Sequence, residues 1–355
     1  MIKIAVSVME NIFKTNGTTV RARSIIDILR KKFKILLITQ GFPANRSLLY
    51  KREDIMLKTI KTRETKLWAL KLIPIIIHNR FDAVYCVADL LGFVTFYLLS
   101  KLFRYKIIFE AHSLLHIEAK QISKMKSLIY LILEIFIGKK ADAVIALSGL
   151  VFDFYRRLNK KTFFIPVFIN PIKRSLKKRY KRKIKLIGLI GPFNLFKNRG
   201  QLTFLYKNLN KFDKRIRFII IGKCDNRIIE DRIKYTGYLP RKDYLNLISQ
   251  LDAVLIPVNF ATYGPCNKIL EPMALGIPVF TTPEGAVGLD FIKNYRDILI
   301  FKEKQLIDMV NKLIFNDKFM ERIGLNGYMI AKKYYNSLLY KEKILSIIEK
   351  ILKNK

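Results

Sequence analysis

The residues best placed to do chemistry lie in the stretch Gly264-Pro-Cys-Asn-Lys-Ile-Leu-Glu-Pro-Met-Ala-Leu-Gly-Ile-Pro278. Gly264-Pro265 make a turn, and Asn267 can cap a helix running to Leu275. Gly276 then ends that helix, and Pro278 prevents its continuation. A helix start offers unpaired backbone N–H groups and the positive end of the dipole, which together seat a phosphate. Lys268 adds a full charge in the same turn, and Glu271 follows one turn later on the same side. A carboxylate there suits two hydrogen bonds to a ribose-type diol. The same spacing also fits a plain capped helix with a surface ion pair.

Three further sets stand out. In Gly191-Pro-Phe-Asn-Leu-Phe-Lys-Asn-Arg-Gly200, a glycine at a strand end allows close backbone approach, and Lys197 and Arg199 supply charge for a phosphorylated ligand. In a chain with 66 basic residues a solvated lysine is the commoner meaning, so position in the pattern is what raises Lys197. In Asn16-Gly-Thr-Thr-Val-Arg-Ala-Arg23, Gly17 sits in a strand-to-helix loop, and Thr18 or Thr19 can cap a helix to Arg30. In Phe109-Glu-Ala-His-Ser113, His112 follows a strand end, where a neutral imidazole can bond a hydroxyl, and Glu110 can orient it or contact a ligand. A histidine packed at a sheet edge is the structural alternative. His78 reads as structural, and His116 has no assigned role. No Asp-x-Asp or carboxylate/His cluster suggests a metal site.

These residues must be held by strands and helices. Short apolar runs, each followed by a helical pattern, occur at 2–8, 34–40, 83–87, 105–110, 142–147 and 163–167. A second series follows at 184–190, 217–221, 253–257, 278–282 and 297–301. Continuous runs separated by helices predict α/β structure with parallel sheets covered on both faces, and the number exceeds one comfortable sheet. The break falls in the basic, Pro-containing run 170–182, read as a solvated linker, with a polyanion clamp as its functional alternative. Two Rossmann-like domains are predicted, 1–172 and 173–335, with a final helical segment, 336–355. In a two-domain arrangement of this kind, ligands belong at the strand C-termini, in the cleft where the domains face each other.

Composition limits the function classes. The chain of 355 residues is 51% hydrophobic, which excludes disorder, and its three cysteines form neither a disulfide framework nor a zinc box. Lys+Arg number 66 against 28 Asp+Glu, a net charge of +38. That excess suits nucleic acid, an anionic membrane or phosphorylated molecules, and compositional bias toward lysine is the rival explanation. Residues 251–300, with 3 basic and 5 acidic residues, are the exception. The charge therefore does not chiefly serve the 264–278 stretch. No run reaches the roughly 18 apolar residues of a spanning helix. The apolar run 127–138, preceded by Lys120, Lys124 and Lys126 and followed by Lys139 and Lys140, suits either an interfacial helix on an anionic leaflet or a core helix with solvated ends. No aromatic-interleaved RNA motif or helix-turn-helix signal favours nucleic acid.

Asn267-Lys-Ile-Leu-Glu-Pro-Met-Ala-Leu-Gly-Ile-Pro-Val279 resembles the donor-site signature of glycosyltransferase family 4. Asp142-Ala-Val-Ile-Ala-Leu-Ser148, Asp252-Ala-Val-Leu-Ile-Pro257 and Thr236-Gly-Tyr-Leu-Pro240 resemble further family segments in the same order. The resemblance implies the GT-B architecture, with the C-terminal helix packing back toward the first domain. It implies a retaining enzyme that moves a sugar from a nucleotide-diphosphate sugar to an acceptor, without a cofactor or metal. Glu271 would hold the ribose, and the turn at Leu239 would face the nucleobase. Gly17, Gly191, Lys197, Arg199, Asn267 and Lys268 would bind the donor, with His112 near the reacting carbon and Glu110 beside it on the acceptor side. The family's first motif glutamate falls on Tyr263, next to Gly264, and the arginine expected after Gly191 is Pro192. Charge and lysine-framed helices point to an acceptor such as a lipid-phosphate-linked glycan, on an anionic membrane surface at the inner, cytoplasmic face. A polyanion-binding protein on a degenerate transferase scaffold and a GT-B nucleotide-sugar epimerase are the alternatives.

Overall fold

The computed structural model describes residues 2–14, 16–41, 54–62, 64–172, 182–193, 196–260 and 264–353. Tyr263 and most of the 170–182 run lie outside them, as do the side chains of Lys197 and Arg199. The chain divides into two compact units, one of residues 1–167 with 337–355, the other of residues 168–336.

The first unit is built on seven parallel strands: β1 (Lys3–Val8), β2 (Lys34–Gln40), β3 (Ile55–Ile60), β4 (Ala83–Val87), β5 (Lys106–Ala111), β6 (Ala143–Ala146) and β7 (Thr162–Phe164). Their order is β3-β2-β1-β4-β5-β6-β7, with Val6 opposite Leu37 on one side and Tyr85 on the other. The helices are α1 (Gly17–Leu29), α2 (Thr65–His78), α3 (Leu90–Phe103), α4 (Leu115–Lys120), α5 (Lys124–Lys140) and α6 (Gly149–Leu158). The order reverses direction at β1. Right-handed crossovers therefore put α1 on one face of the sheet and α2, α3, α5 and α6 on the other.

Central strands such as β1 and β4 are buried almost throughout, which is why their sequences are continuous apolar runs. A buried Asp89 ties this packing together. It caps α3 through the Gly92 amide at 2.8 Å and accepts from Ser7 Oγ at 2.7 Å and Trp68 Nε1 at 2.9 Å. Three donors satisfy the carboxyl group, so its burial leaves no orphan. The last helix, α13 (Lys341–Lys353), belongs to this unit, packs on α1, and adds the ion pair Lys32–Glu349.

The second unit has six parallel strands: β8 (Lys185–Ile190), β9 (Ile216–Ile221), β10 (Ile233–Gly237), β11 (Ala253–Ile256), β12 (Val279–Thr281) and β13 (Leu299–Ile300). They run in the order β10-β9-β8-β11-β12-β13. The helices are α7 (Phe196–Asn208), α8 (Arg241–Ile248), α9 (Asn267–Ala274), α10 (Pro283–Ala286), α11 (Glu303–Leu313) and α12 (Asp317–Tyr334).

Eleven of these strands coincide with the apolar runs. The two extra ones, β3 and β10, each lie at a sheet edge and are only partly buried, so their sequences lack a continuous apolar signal. The topology is the doubly wound α/β architecture expected, twice over.

Candidate active site

Each unit gathers its chemically active residues at the carboxyl ends of its strands. In the first, α1 begins with a capping box. Asn16 accepts from the Thr19 amide at 2.9 Å, and Thr19 Oγ1 accepts from the Asn16 amide at 3.2 Å. The cap is thus Asn16, not Thr18 or Thr19, because an asparagine side chain reaches back to the third helical amide. Gly17 is the first helical residue and not part of an extended loop.

One turn on, Arg21 points inward, only 2% exposed, to Glu110, which is wholly buried on β5. Its Nη2 and Nε atoms lie 2.9 and 3.2 Å from the carboxylate, and Nη1 reaches the Pro166 carbonyl at 3.4 Å. Tyr85, on neighbouring β4, donates to the same carboxylate at 2.5 Å. His112, one residue past the end of β5, contacts Glu110 through Nε2 at 2.8 Å.

Burial alone would push the Glu110 carboxyl up. The charge of Arg21, with hydrogen bonds from His112 and Arg21, outweighs it and holds the group at about 2. An ionised carboxylate only accepts, so His112 donates through Nε2, and Nδ1 is left for a second hydrogen bond. Of the two roles open to Glu110, orientation is the one formed. It has no exposed surface, and Arg21, Tyr85 and His112 all bond its carboxylate.

Arg21 and Tyr85 were not predicted. The available signal was an arginine on the same helical face as Ala22, Ile25 and Leu29, which demands a buried partner. His116 pairs with the buried Glu134 of α5 at 2.5 Å. His78 Nδ1 meets the Pro74 carbonyl, within its own helix, at 2.7 Å.

In the second unit, Gly191 directly follows β8 and Gly222 directly follows β9. Gly222 has φ +116°, and a Cβ there would lie 3.3 Å from Gly191 Cα, so these two strand ends approach as only glycine permits. Lys197 and Arg199 fall in the first turn of α7. Asn198 on that helix bonds the Pro192 carbonyl at 2.7 Å and accepts from Lys268 Nζ at 2.7 Å. The Lys268 ammonium also stands 6.0 Å from the centre of the Phe193 ring. Burial depresses this group to about 8.

Helix α9 starts at Asn267, so its cap position is Cys266, whose side chain makes no capping bond. Asn267 is therefore not the cap. Lying inside the first turn, it leaves its Oδ1 buried and without a partner among the described atoms. Cys266 thus gives the first amides of α9 no side-chain capping bond, which suits an incoming anion. The half-buried Gly264 opens the turn before α9, and Gly276, at φ +74°, closes the helix.

Glu271 does not pair with Lys268. Its Oε1 receives Arg241 Nη1 at 2.6 Å and its Oε2 receives Tyr244 Oη at 2.7 Å, both from α8. Burial, then the Glu271 charge, pushes the Tyr244 hydroxyl well up, so it stays a donor. Leu239, half-buried, lies in the turn between β10 and α8, just before Arg241. Among the described residues no three His, Cys, Asp or Glu side chains gather closely enough to hold a metal ion.

Residues 184–316 match the family model for glycosyl transferases group 1. Sucrose-phosphate synthase from Thermosynechococcus elongatus superposes with a TM-score of 0.81 at 14% identity, covering 100% of both chains. HepE from Anabaena, solved with UDP-glucose, gives 0.76 at 16% identity, covering 99% of this chain and 100% of its own. WaaG, a glycosyltransferase involved in lipopolysaccharide biosynthesis, gives 0.70 at 13%, covering 96% and 99%. The chain thus has the GT-B fold, and its second unit carries the glycosyl transferases group 1 match. A search of curated protein sequences returned no match. The matched span holds every residue of the second cluster, from Gly191 to Glu271, and none of the first.

Proposed function

We propose that the enzyme transfers a sugar, with retention, from a nucleoside-diphosphate sugar to a lipid-linked glycan acceptor at a membrane surface, without a metal. The observation that carries the donor half is the start of α9. Side-chain-uncapped amides, Lys268 and Glu271 stand together there within the family-matched span. Two HepE structures hold UDP-glucose or UDP with glucose, which supports a uridine donor as the first to try.

In the proposed step the C1–O bond to the diphosphate breaks. Negative charge grows on the departing phosphate, where Lys197, Arg199, Lys268 and the α9 amides stabilise it electrostatically. Glu271 holds the ribose hydroxyls and fixes the donor's register. The acceptor oxygen bonds to C1 on the face the leaving group vacates, and its proton passes to a diphosphate oxygen, so no carboxylate base is needed. His112, aligned by Glu110, bonds a sugar hydroxyl through Nδ1 and orients the ring.

Product analysis with a panel of nucleotide sugars, with and without a lipid-phosphate acceptor, tests this. Acceptor-dependent release of nucleoside diphosphate, with the anomeric configuration kept, is expected. An isomerised nucleotide sugar would make the enzyme an epimerase. Salt-sensitive nucleic-acid binding without turnover would leave a polyanion-binding scaffold.

A further inference from the structure

Helices α2, α3 and α5 form one layer on the first unit's sheet. α2 packs against α3 and α3 against α5, with Tyr97 and Phe136 edge to face at 5.2 Å. The outer side of this layer is unusually apolar. Leu98 and Leu102 on α3 and Met125, Leu128 and Ile132 on α5 are 58–74% exposed, and Leu70 on α2 is exposed beside them. Ten of the large apolar side chains exposed among the described residues lie on these three helices, a concentration of the kind that marks an interaction surface.

Charge decides what covers it. Lys101, Lys120, Lys124, Lys126, Lys139 and Lys140 are all exposed along α3, α4 and α5. The only acidic residues in α2 through α5 are Glu118 and Glu134, and both are buried. Glu134 is turned inward, held by His116 and by the Leu115 amide at 2.7 Å. The layer thus presents methyl and methylene groups bordered by ammonium groups, with no exposed carboxylate from its own helices.

We infer that this layer is a docking surface for a bilayer containing anionic phospholipid. Its apolar side chains enter the headgroup boundary and its lysines meet the phosphates. A second copy of the chain is the poorer occupant, because a two-fold interface would set one lysine border against another. No helix among the described residues is long and apolar enough to cross a membrane, so attachment is to one leaflet. The inference deepens the proposed lipid-linked acceptor and rests on that reading for its purpose, though not for its test.

The test is flotation of the full chain with phosphatidylcholine vesicles, with or without phosphatidylglycerol, beside transfer to a short water-soluble acceptor. Binding is expected only with phosphatidylglycerol and falls as salt rises. The exposed pair Leu128→Glu and Ile132→Glu should weaken it at least about tenfold, and each Lys124→Gln or Lys126→Gln about fivefold. Soluble transfer should stay unchanged in all of them, which also certifies folding. Equal vesicle binding by wild type and variants overturns the inference, as does a dimer that the glutamate pair dissolves without effect on vesicles. Soluble transfer without vesicle binding overturns the docking surface alone. Vesicle binding without transfer overturns the proposed reaction alone.

Discussion

The two units each hold a glutamate at the carboxyl end of their sheets, and the two carboxylates are kept in opposite ways. Glu110 has no exposed surface, and its arginine partner is 2% exposed. Glu271 is 15% exposed, and its partner Arg241 is 54% exposed. A wholly buried ion pair has traded water for fixed partners, so removing either member leaves an uncompensated charge. A pair at the surface exchanges with water and is worth little. Glu110 is therefore framework that aims His112, whereas Glu271 keeps partners that a ligand's hydroxyls can replace.

The largest test of that contrast is Glu110→Gln. It leaves the Arg21 guanidinium buried without its counter-charge, which costs about 3–5 kcal/mol. In calorimetry the first unit's transition should drop by about 10 °C, with the second unit's unmoved. The pH dependence has a definite sign. Glu110 falls from the usual 4.5 to about 2 on folding, so its contribution is present above about 4.5 and lost as pH falls toward 2. The variant should lose that part of the acid sensitivity. Melting at the wild-type temperature would show that Glu110 and Glu271 are kept alike.

Next in size is Glu271→Ala. Loss of charged hydrogen bonds to the donor should reduce kcat/KM about 100-fold, with the melting temperature within a few degrees of wild type. Unchanged sugar transfer would remove Glu271 from the reaction and leave it a helix-to-helix strut between α9 and α8.

What could be read from the sequence follows the same division. The α9 signature was legible because its residues are neighbours: Lys268 and Glu271 share a turn, and Gly276 stops the helix where a positive φ is needed. The partners that set their behaviour were not legible, since Arg241 and Tyr244 lie 30 and 27 residues before Glu271. Arg21 is 89 residues from Glu110, joined to it only by the β1-β4-β5 order of the sheet. Central strands announced themselves by burial on both faces, and the edge strands β3 and β10 did not. Local chemistry is written in spacing, whereas long-range electrostatics waits for topology.

Lys268 offers a smaller effect, read through pH. With its ammonium at about 8, the group is charged at neutral pH and loses its proton as pH rises. Affinity for a nucleoside diphosphate should be level below 8 and fall up to about tenfold per unit above it, as calorimetric titration with UDP would record. Lys268→Arg should flatten that profile, because a guanidinium stays charged. A profile identical in both proteins would detach Lys268 from the phosphate.

The smallest effect is the most discriminating. Arg241→Ala removes an exposed partner, so stability should change by less than about 1 kcal/mol. If that contact merely occupies Glu271 until a ribose arrives, deleting it removes a competitor, and UDP should bind the same or up to about fivefold tighter. Tyr244→Phe makes the opposite change. It takes away the hydroxyl that fixes Oε2 and lets the carboxylate turn, so UDP should bind more weakly while Arg241 remains. Weakening of equal size in both variants would mean that Glu271 is held as rigidly as Glu110. The two units would then differ in depth of burial and not in kind.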